Sequence, residues 1–360
     1  MNTAVTAFDE RSQDGPAAGL LGLAERGLLP DALLRQGIRH LCAQRLREES
    51  ADGLEAQAAR FAERIDMLRH SAVAIHTDVA NAQHYELPPA FFELCLGKRL
   101  KYSGCYYPRG DESLDQAEEA MLALYGERAE LADGQTILEL GCGWGSLTLW
   151  MAERYPSAKI VAVSNSNQQR QHIEVQCRQL GLSNVSVITQ DVNRLELDAE
   201  RFDRCVSIEM FEHMRNYDIL LGRIARWLRP GGKLFVHIFA HKALMYPFET
   251  TGKDDWMGRH FFTGGLMPAA DTLLWFQRDL KIEHRWLVDG THYQRSANHW
   301  LANQDRHKDQ VMAVLTAAYG HKAAALWFQR WRMFWMSCAE LFGYAHGQEW
   351  LVAHYLFARP

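Results

Sequence analysis

Residues 137–156 read ILELGCGWGSLTLWMAERYP. The short apolar run Thr136–Leu140 is strand-like, and Gly141, Gly143 and Gly145 then punctuate a turn. Residues 146–155 carry helical spacing and stop at Pro156, which cannot continue a helix. A strand, a glycine turn and a helix in that order make a ligand cradle, because glycine allows a tight turn and a close approach to the backbone. The spacing is GxGxG rather than the dinucleotide GxGxxG, and Glu139 stands just before the turn. The next strand ends in Ser164-Asn165-Ser166, where a nicotinamide enzyme places an acid for the ribose diol. A nicotinamide oxidoreductase is therefore disfavoured, and a cofactor without a pyrophosphate fits the turn better.

The alternation continues on the C-terminal side. Strands are predicted over 159–163, Val185–Thr189, 204–208 and 233–239, with helices over Asn167–Leu180 and 219–228, the latter ended by Pro230-Gly231-Gly232. This pattern predicts an α/β fold whose parallel sheet has helices on both faces and binds ligands at the carboxyl ends of its strands. From 241 to about 270 it lapses into an aromatic insertion with Tyr246, Phe248, Trp256, Phe261 and Phe262, which suits either a substrate cradle or ordinary core. A strand over 280–288, a Trp-rich helical region and a last strand over 350–357 follow.

Residues 20–69 are helical in pattern, with Leu34, Ile38 and Leu41 at helical spacing and Arg35, Arg39, Arg45 and Arg47 on other faces. Such a helix can touch an anionic membrane or pack on the main domain, the commoner use. Asp111 and Ser113 open a helix running to about Glu130. The expected organisation is a flexible tail over 1–18, a helical extension and lid over 19–130, and a cofactor-binding domain over 131–360. Substrate-pocket insertions are expected at about 241–279 and 292–346.

With 39 Lys and Arg against 44 Asp and Glu, the net charge of −5 argues against a nucleic-acid surface. The seven cysteines are scattered and form no CxxC, so free thiols and no metal site are expected. Residues 1–19 lack an apolar signal-peptide core and no stretch approaches 18 apolar residues, so a cytoplasmic protein is expected.

The glycine-turn segment resembles the nucleotide loop of class I S-adenosylmethionine methyltransferases. HYELPPAFFELCLGKRLKYSGCYY (84–107), SIEMFEHM (207–214) and GTHYQRS (290–296) resemble the cyclopropane fatty acid synthase superfamily. LYGERAEL (124–131), FFTGGLMPAADTLLWFQ (261–277) and CAELFGYAHGQEWLVAHYLF (338–357) are similar to its coclaurine-type N-methyltransferase branch. The resemblance implies a Rossmann-like, mostly parallel sheet with an antiparallel last strand. It also implies S-adenosylmethionine as cofactor and S-adenosylhomocysteine as product. Position by position it assigns cofactor contacts to Tyr102 and Ser103 in the lid and to Glu139, Gly141 and Gly143 at the turn. Asn165 and Gln169 fall on the ribose side, Asp191 and Val192 on the adenine side. Asp191 has a rationale of its own, since a carboxylate ending the third strand can accept the adenine amine; it can equally cap a turn.

Glu209, Glu212 and His213 follow the fourth strand at i, i+3 and i+4, so a helix beginning after Ile208 would project all three to one side. An amine must lose a proton before it attacks a methyl carbon. Glu209 is read as the holder of a substrate ammonium and His213, oriented by Glu212, as the base. Alternatively Glu212 and His213 cap the helix and bond each other. The resemblance adds His237, Tyr293 and Cys338 as catalytic positions, although lone His and Cys residues on apolar elements are often core. One departure stands out. Cyclopropane synthases carry Cys directly after the lid Tyr-Ser, where it helps hold a bicarbonate base with residues matching Glu212, His237 and Tyr293; here that position is Gly104, with Cys105 next. Phe239 stands where that group commonly has Ile. The leading expectation is N-methylation of a small-molecule amine, by a possible homodimer. The alternative is cyclopropanation or methylation of an unsaturated phospholipid acyl chain, which alone would require membrane contact.

Overall fold

The computed structural model describes residues 15–75, 87–248, 250, 252 and 255–360; the expected tail up to residue 14 and residues 76–86 of the expected helical extension and lid lie outside them. β1 (Thr136–Leu140), β2 (Lys159–Ser164), β3 (Val185–Thr189), β4 (Phe202–Ile208), β5 (Leu228–His241), β8 (Lys281–Val288) and β9 (Trp350–Ala358) form one sheet of order β3-β2-β1-β4-β5-β9-β8. Pairing is parallel from β3 through β5, and β9 runs antiparallel between β5 and β8, as expected of the last strand. β6 (Tyr246–Pro247) and β7 (Leu266–Met267) make a separate antiparallel pair inside the aromatic insertion.

The inner strands are continuous apolar runs because both sheet faces are covered. On one face Ile137, Ile160, Val206 and Phe235 meet Met121, Leu122 and Tyr125 of α5 (Leu114–Arg128) and Leu147 and Met151 of α6 (Ser146–Arg154). On the other, Leu138, Val161 and Val236 meet Leu220, Leu221 and Ile224 of α8 (Tyr217–Trp227). A third core, rich in tryptophan, lies among α10 (Gly290–Arg306), α12 (His321–Gly343) and the insertion, with Trp300, Trp331 and Trp335 buried. Local signals set the ends: Ser113 and Gln116 form a capping box on α5, and Gly181 ends α7 (Asn167–Leu180) at φ +69°.

Two local expectations change. Pro230-Gly231-Gly232 lies inside β5 rather than between helix and strand, at an irregularity where Phe202 pairs with Leu228 and Arg204 with Lys233. The segment after β4 is a single 3-10 turn, Phe211–His213, not a helix. Three of the four arginines noted on α2 (Asp31–Glu49) meet the protein, the commoner of the two uses: Arg35 and Arg39 bridge Glu340 at 2.7 and 2.5 Å, and Arg45 lies over the Tyr246 ring, while Arg47 is exposed. Among the described residues no helix is long and apolar enough to cross a membrane.

α1 (Gly19–Glu25) is fastened to the tryptophan-rich core by one buried carboxylate. Glu25 accepts from Arg330 Nε and Trp256 Nε1, both at 2.9 Å, and from the Ala17 N–H at 2.6 Å. These donors hold its carboxyl below the ordinary range although burial alone would raise it.

Candidate active site

The carboxyl ends of β1, β2 and β4 open onto a cavity whose floor is the glycine turn. Gly141 has φ +81°, and a Cβ there would stand 2.8 Å from Met210 Cβ and Cγ. Gly143 has φ +51° and meets nothing within 4 Å of its would-be Cβ, so the backbone lies open to a ligand. Tyr102, Ser103, Asn165, Gln169 and Val192 line this cavity. Two assigned residues stand off its wall. Glu139 turns behind the strand to accept from Thr148 Oγ1 at 2.5 Å, and burial pushes its carboxyl up to about 8. Asp191 Oδ1 accepts the Asn193 N–H at 2.7 Å, the turn-capping arrangement, while its neighbours Gln190 and Val192 reach the wall. Gln169 Nε2, Ser146 Oγ and Trp144 Nε1 are buried at this wall with no hydrogen-bond partner among the described residues. Such atoms suit a ligand with ribose hydroxyls and an amino-acid head, so the cradle fits S-adenosylmethionine.

A second cavity adjoins the first and shares Tyr102, Glu209 and His213 with it. Its other walls are apolar and largely aromatic, including Phe239, Phe262, Tyr293, Trp300 and Phe342. Cys338 also faces it, and burial pushes that thiol up, keeping it un-ionised.

Glu209 ends β4 in the left-handed region, φ +47°. That turn aims its carboxyl at three groups: Oε1 accepts the Gly104 N–H at 2.9 Å and lies 3.1 Å from His237 Nε2, and Oε2 accepts from Tyr293 OH at 3.0 Å. Burial raises the Glu209 carboxyl to about 7, against the opposing pull of Lys101, the Gly104 N–H, Tyr293 and His213. His213 is half-buried, with its ring 4.7 Å from Phe262; burial, then Arg215, push it down to about 4, so it is neutral near pH 7. Glu212 is fully buried, and its Oε1 accepts the Phe239 N–H at 2.8 Å. Its Oε2 has no hydrogen-bond partner among the described residues, so the structure does not place Glu212 as the group steadying His213. The 3-10 turn carries Glu212 towards β5 and His213 towards the cavities, and the three residues do not share one helical face.

Sequence reasoning missed the groups that hold the lid. Lys101 is buried, and its Nζ donates to Ser103 Oγ at 2.5 Å and the Gly104 carbonyl at 2.7 Å, over the face of Tyr125. Glu118 accepts the N–H groups of Gly97, Arg99 and Lys101, anchoring the loop that leads into Tyr102 and Ser103. The available signal was a lysine directly before the Tyr-Ser pair.

The family model for mycolic acid cyclopropane synthetase matches residues 74–348. The chain belongs to that family. Within this family of S-adenosylmethionine-dependent methyltransferases it is 36% identical over 344 residues to the (S)-coclaurine N-methyltransferase of Thalictrum flavum subsp. glaucum, a match covering 94% of this chain and 95% of the relative. The crystal structure of a coclaurine N-methyltransferase bound to N-methylheliamine and S-adenosylhomocysteine superposes with a TM-score of 0.90 at 37% identity, covering 94% of this chain and 98% of that one. Similarity to the cyclopropane-fatty-acyl-phospholipid synthase of Escherichia coli (strain K12) is 28% over 224 residues, 62% of this chain and 55% of that one. The family member described here is thus an enzyme that uses S-adenosylmethionine as its cofactor.

Proposed function

We propose that this methyltransferase N-methylates a small-molecule amine with a flat apolar body. The observation that carries the proposal is the Glu209 carboxylate standing in the wall between the two cavities. His237 and Tyr293, which in cyclopropane formation would hold a bicarbonate, here both meet this resident carboxylate, as does the Gly104 N–H. The space a cysteine would use at position 104 is also taken, since a Cβ there would stand 2.8 Å from the Tyr293 ring. These groups are therefore already engaged by a resident carboxyl group, which favours amine chemistry over cyclopropanation.

Bound S-adenosylmethionine supplies a methyl carbon on a sulfonium, open to in-line displacement by a lone pair. Tyr102, Ser103, Gly141, Gly143, Asn165, Gln169 and Val192 hold the cofactor, with Glu139 and Asp191 bracing the turns behind them. Glu209 receives the substrate ammonium, while the aromatic faces of the second cavity cover its body. His213, shared by both cavities, takes the proton that frees the nitrogen lone pair, the Glu209 carboxylate favouring the imidazolium against the burial and Arg215 that oppose it. His237 and Tyr293 act by donating to Glu209. Cys338 contributes wall rather than nucleophile. The test is a labelled-methyl assay against a panel of aromatic amines and unsaturated phospholipid vesicles, with and without bicarbonate. Methylated amine is expected; bicarbonate-dependent addition of one methylene to an acyl chain, with every amine inert, would overturn the reading.

A further inference from the structure

β9 runs antiparallel beside β5 in a register that sets His354 directly opposite His237. Both imidazoles are fully buried. His354 Nε2 lies 2.9 Å from His237 Nδ1, and His354 Nδ1 lies 2.7 Å from Nη1 of Arg128, the last residue of α5, whose guanidinium rests over the Trp286 ring. His237 Nε2 then reaches Glu209 Oε1. A continuous string of four side chains connects a partly buried arginine to the carboxylate between the cavities.

The string has a direction. A guanidinium can only donate, so His354 Nδ1 must accept. A neutral His354 therefore carries its proton on Nε2 and donates it to His237 Nδ1. A neutral His237 in turn carries its proton on Nε2 and donates it to Glu209. We infer that Arg128, acting through His354 and His237, is a positioning residue that fixes a donor, rather than a lone pair, against Glu209. Burial holds both imidazoles well below their ordinary range, which keeps them neutral as this polarity needs. Tyr125 OH also meets His237 Nδ1, at 2.9 Å, but a hydroxyl donates or accepts as its surroundings require. Without Arg128 nothing in the string is donor-only. Reversed, His237 would turn a lone pair on Glu209, and that arrangement is stable only when Glu209 is protonated and unable to hold an ammonium.

The other titratable groups around Glu209 are Lys101 and Cys105 of the lid, Tyr125, Glu212, His213, Tyr293 and Cys338; Lys101, Arg128 and Tyr125 face the histidine pair. None of these sets the direction of the string, which depends on Arg128 remaining a donor at every working pH.

The inference rests on the amine reading only where activity is measured, and its first test needs no substrate. Ring 15N spectra of the histidine-labelled full chain, with His237 and His354 assigned from signals lost in His237→Gln and His354→Gln, should show both rings protonated on Nε2 and bare on Nδ1. A protonated Nδ1 in either ring would overturn the proposal whether or not Arg128 variants fold. In Arg128→Met the single pattern should give way to mixed tautomers at and below pH 7, where Glu209 carries a proton, and return above it, where the carboxylate can only accept. The acidic limb of the kcat/KM profile should then move up by about one pH unit, about a tenfold loss on that limb, recovered at higher pH. Arg128→Lys keeps a donor and should keep both the ring pattern and the limb. An unmoved limb in Arg128→Met, or a moved limb with unchanged ring signals, would overturn it. Failure of every amine to react would leave the spectra standing and refute the substrate reading alone.

Discussion

Glu209→Gln separates the charge of the central carboxylate from its shape. The amide oxygen can keep accepting from the Gly104 N–H and His237 Nε2, and Tyr293 OH can turn from donor to acceptor opposite the amide nitrogen. Packing is therefore preserved while the anion is lost. Removing the charged partner of a substrate ammonium costs about 1.5–3 kcal/mol, roughly a 10- to 150-fold fall in kcat/KM. Stability should move the other way. The carboxyl stands at about 7 instead of the ordinary 4.5, because burial disfavours its charged form; at pH 8 that difference amounts to about 3 kcal/mol of destabilisation. The sign follows from where the proton goes. Below pH 4.5 both folded and unfolded wild-type chains keep it. Between 4.5 and 7 the unfolded chain loses the proton first, so wild-type stability falls as pH rises, and above 7 the whole cost stands. The glutamine variant has no such titration, so its stability advantage should grow from pH 4.5 to 7 and then level off. Denaturant melts of both proteins across pH 4–9, alongside initial-rate assays at saturating cofactor, measure the two effects. A variant that is less stable at pH 8, or one that turns over an amine at the wild-type rate, would refute the reasoning.

In the wild type, kcat/KM should show an acidic limb near pH 7 from Glu209, while the limb of kcat lies lower because a bound ammonium favours the carboxylate; coincident limbs would count against an ammonium on Glu209. His213→Ala should lower kcat by about 10²–10⁴-fold with cofactor affinity nearly unchanged, and an unaltered kcat would move the base elsewhere. Gly141→Val should abolish S-adenosylhomocysteine binding in calorimetry, since φ is +81° and the added Cβ meets Met210 at 2.8 Å; intact binding would remove the turn from the cofactor site. Gly104→Cys should push the Tyr293 ring off its stack with Phe342 and cost about 1–3 kcal/mol without creating bicarbonate dependence; a bicarbonate-dependent activity in that variant would refute the steric argument.

The sheet was legible because buried parallel strands leave continuous apolar runs, and glycine or proline punctuates several of the turns and helix ends between them, as at Gly141, Pro156 and Gly181. β1 and β3 fall on the expected residues, while β5 begins five residues early because a bulge accommodates Pro230-Gly231-Gly232 inside the strand. The β6–β7 pair was not legible, since two-residue strands carry no periodicity. At the site, residue types were readable and directions were not. Nothing in SIEMFEHM announces a glutamate at φ +47°, so Glu209 was expected on a helical face with Glu212. Lys101, Arg128 and His354 reach the site through tertiary pairing, which local spacing cannot convey.

The left-handed backbone at Glu209 also bears on how this pocket could change its chemistry. That conformation is one glycine adopts freely and glutamate tolerates at a cost. Glu209→Gly would relax the chain there and remove the resident carboxylate, leaving the Gly104 N–H, His237 Nε2 and Tyr293 OH converging on a space sized for a small planar oxyanion. Formate or bicarbonate added to that variant should then act as a borrowed carboxylate and rescue part of the lost turnover in a saturable, concentration-dependent way, with chloride ineffective. A pocket that keeps its counter-ion on a residue and one that recruits it from solution would then differ by a single substitution that the backbone itself favours.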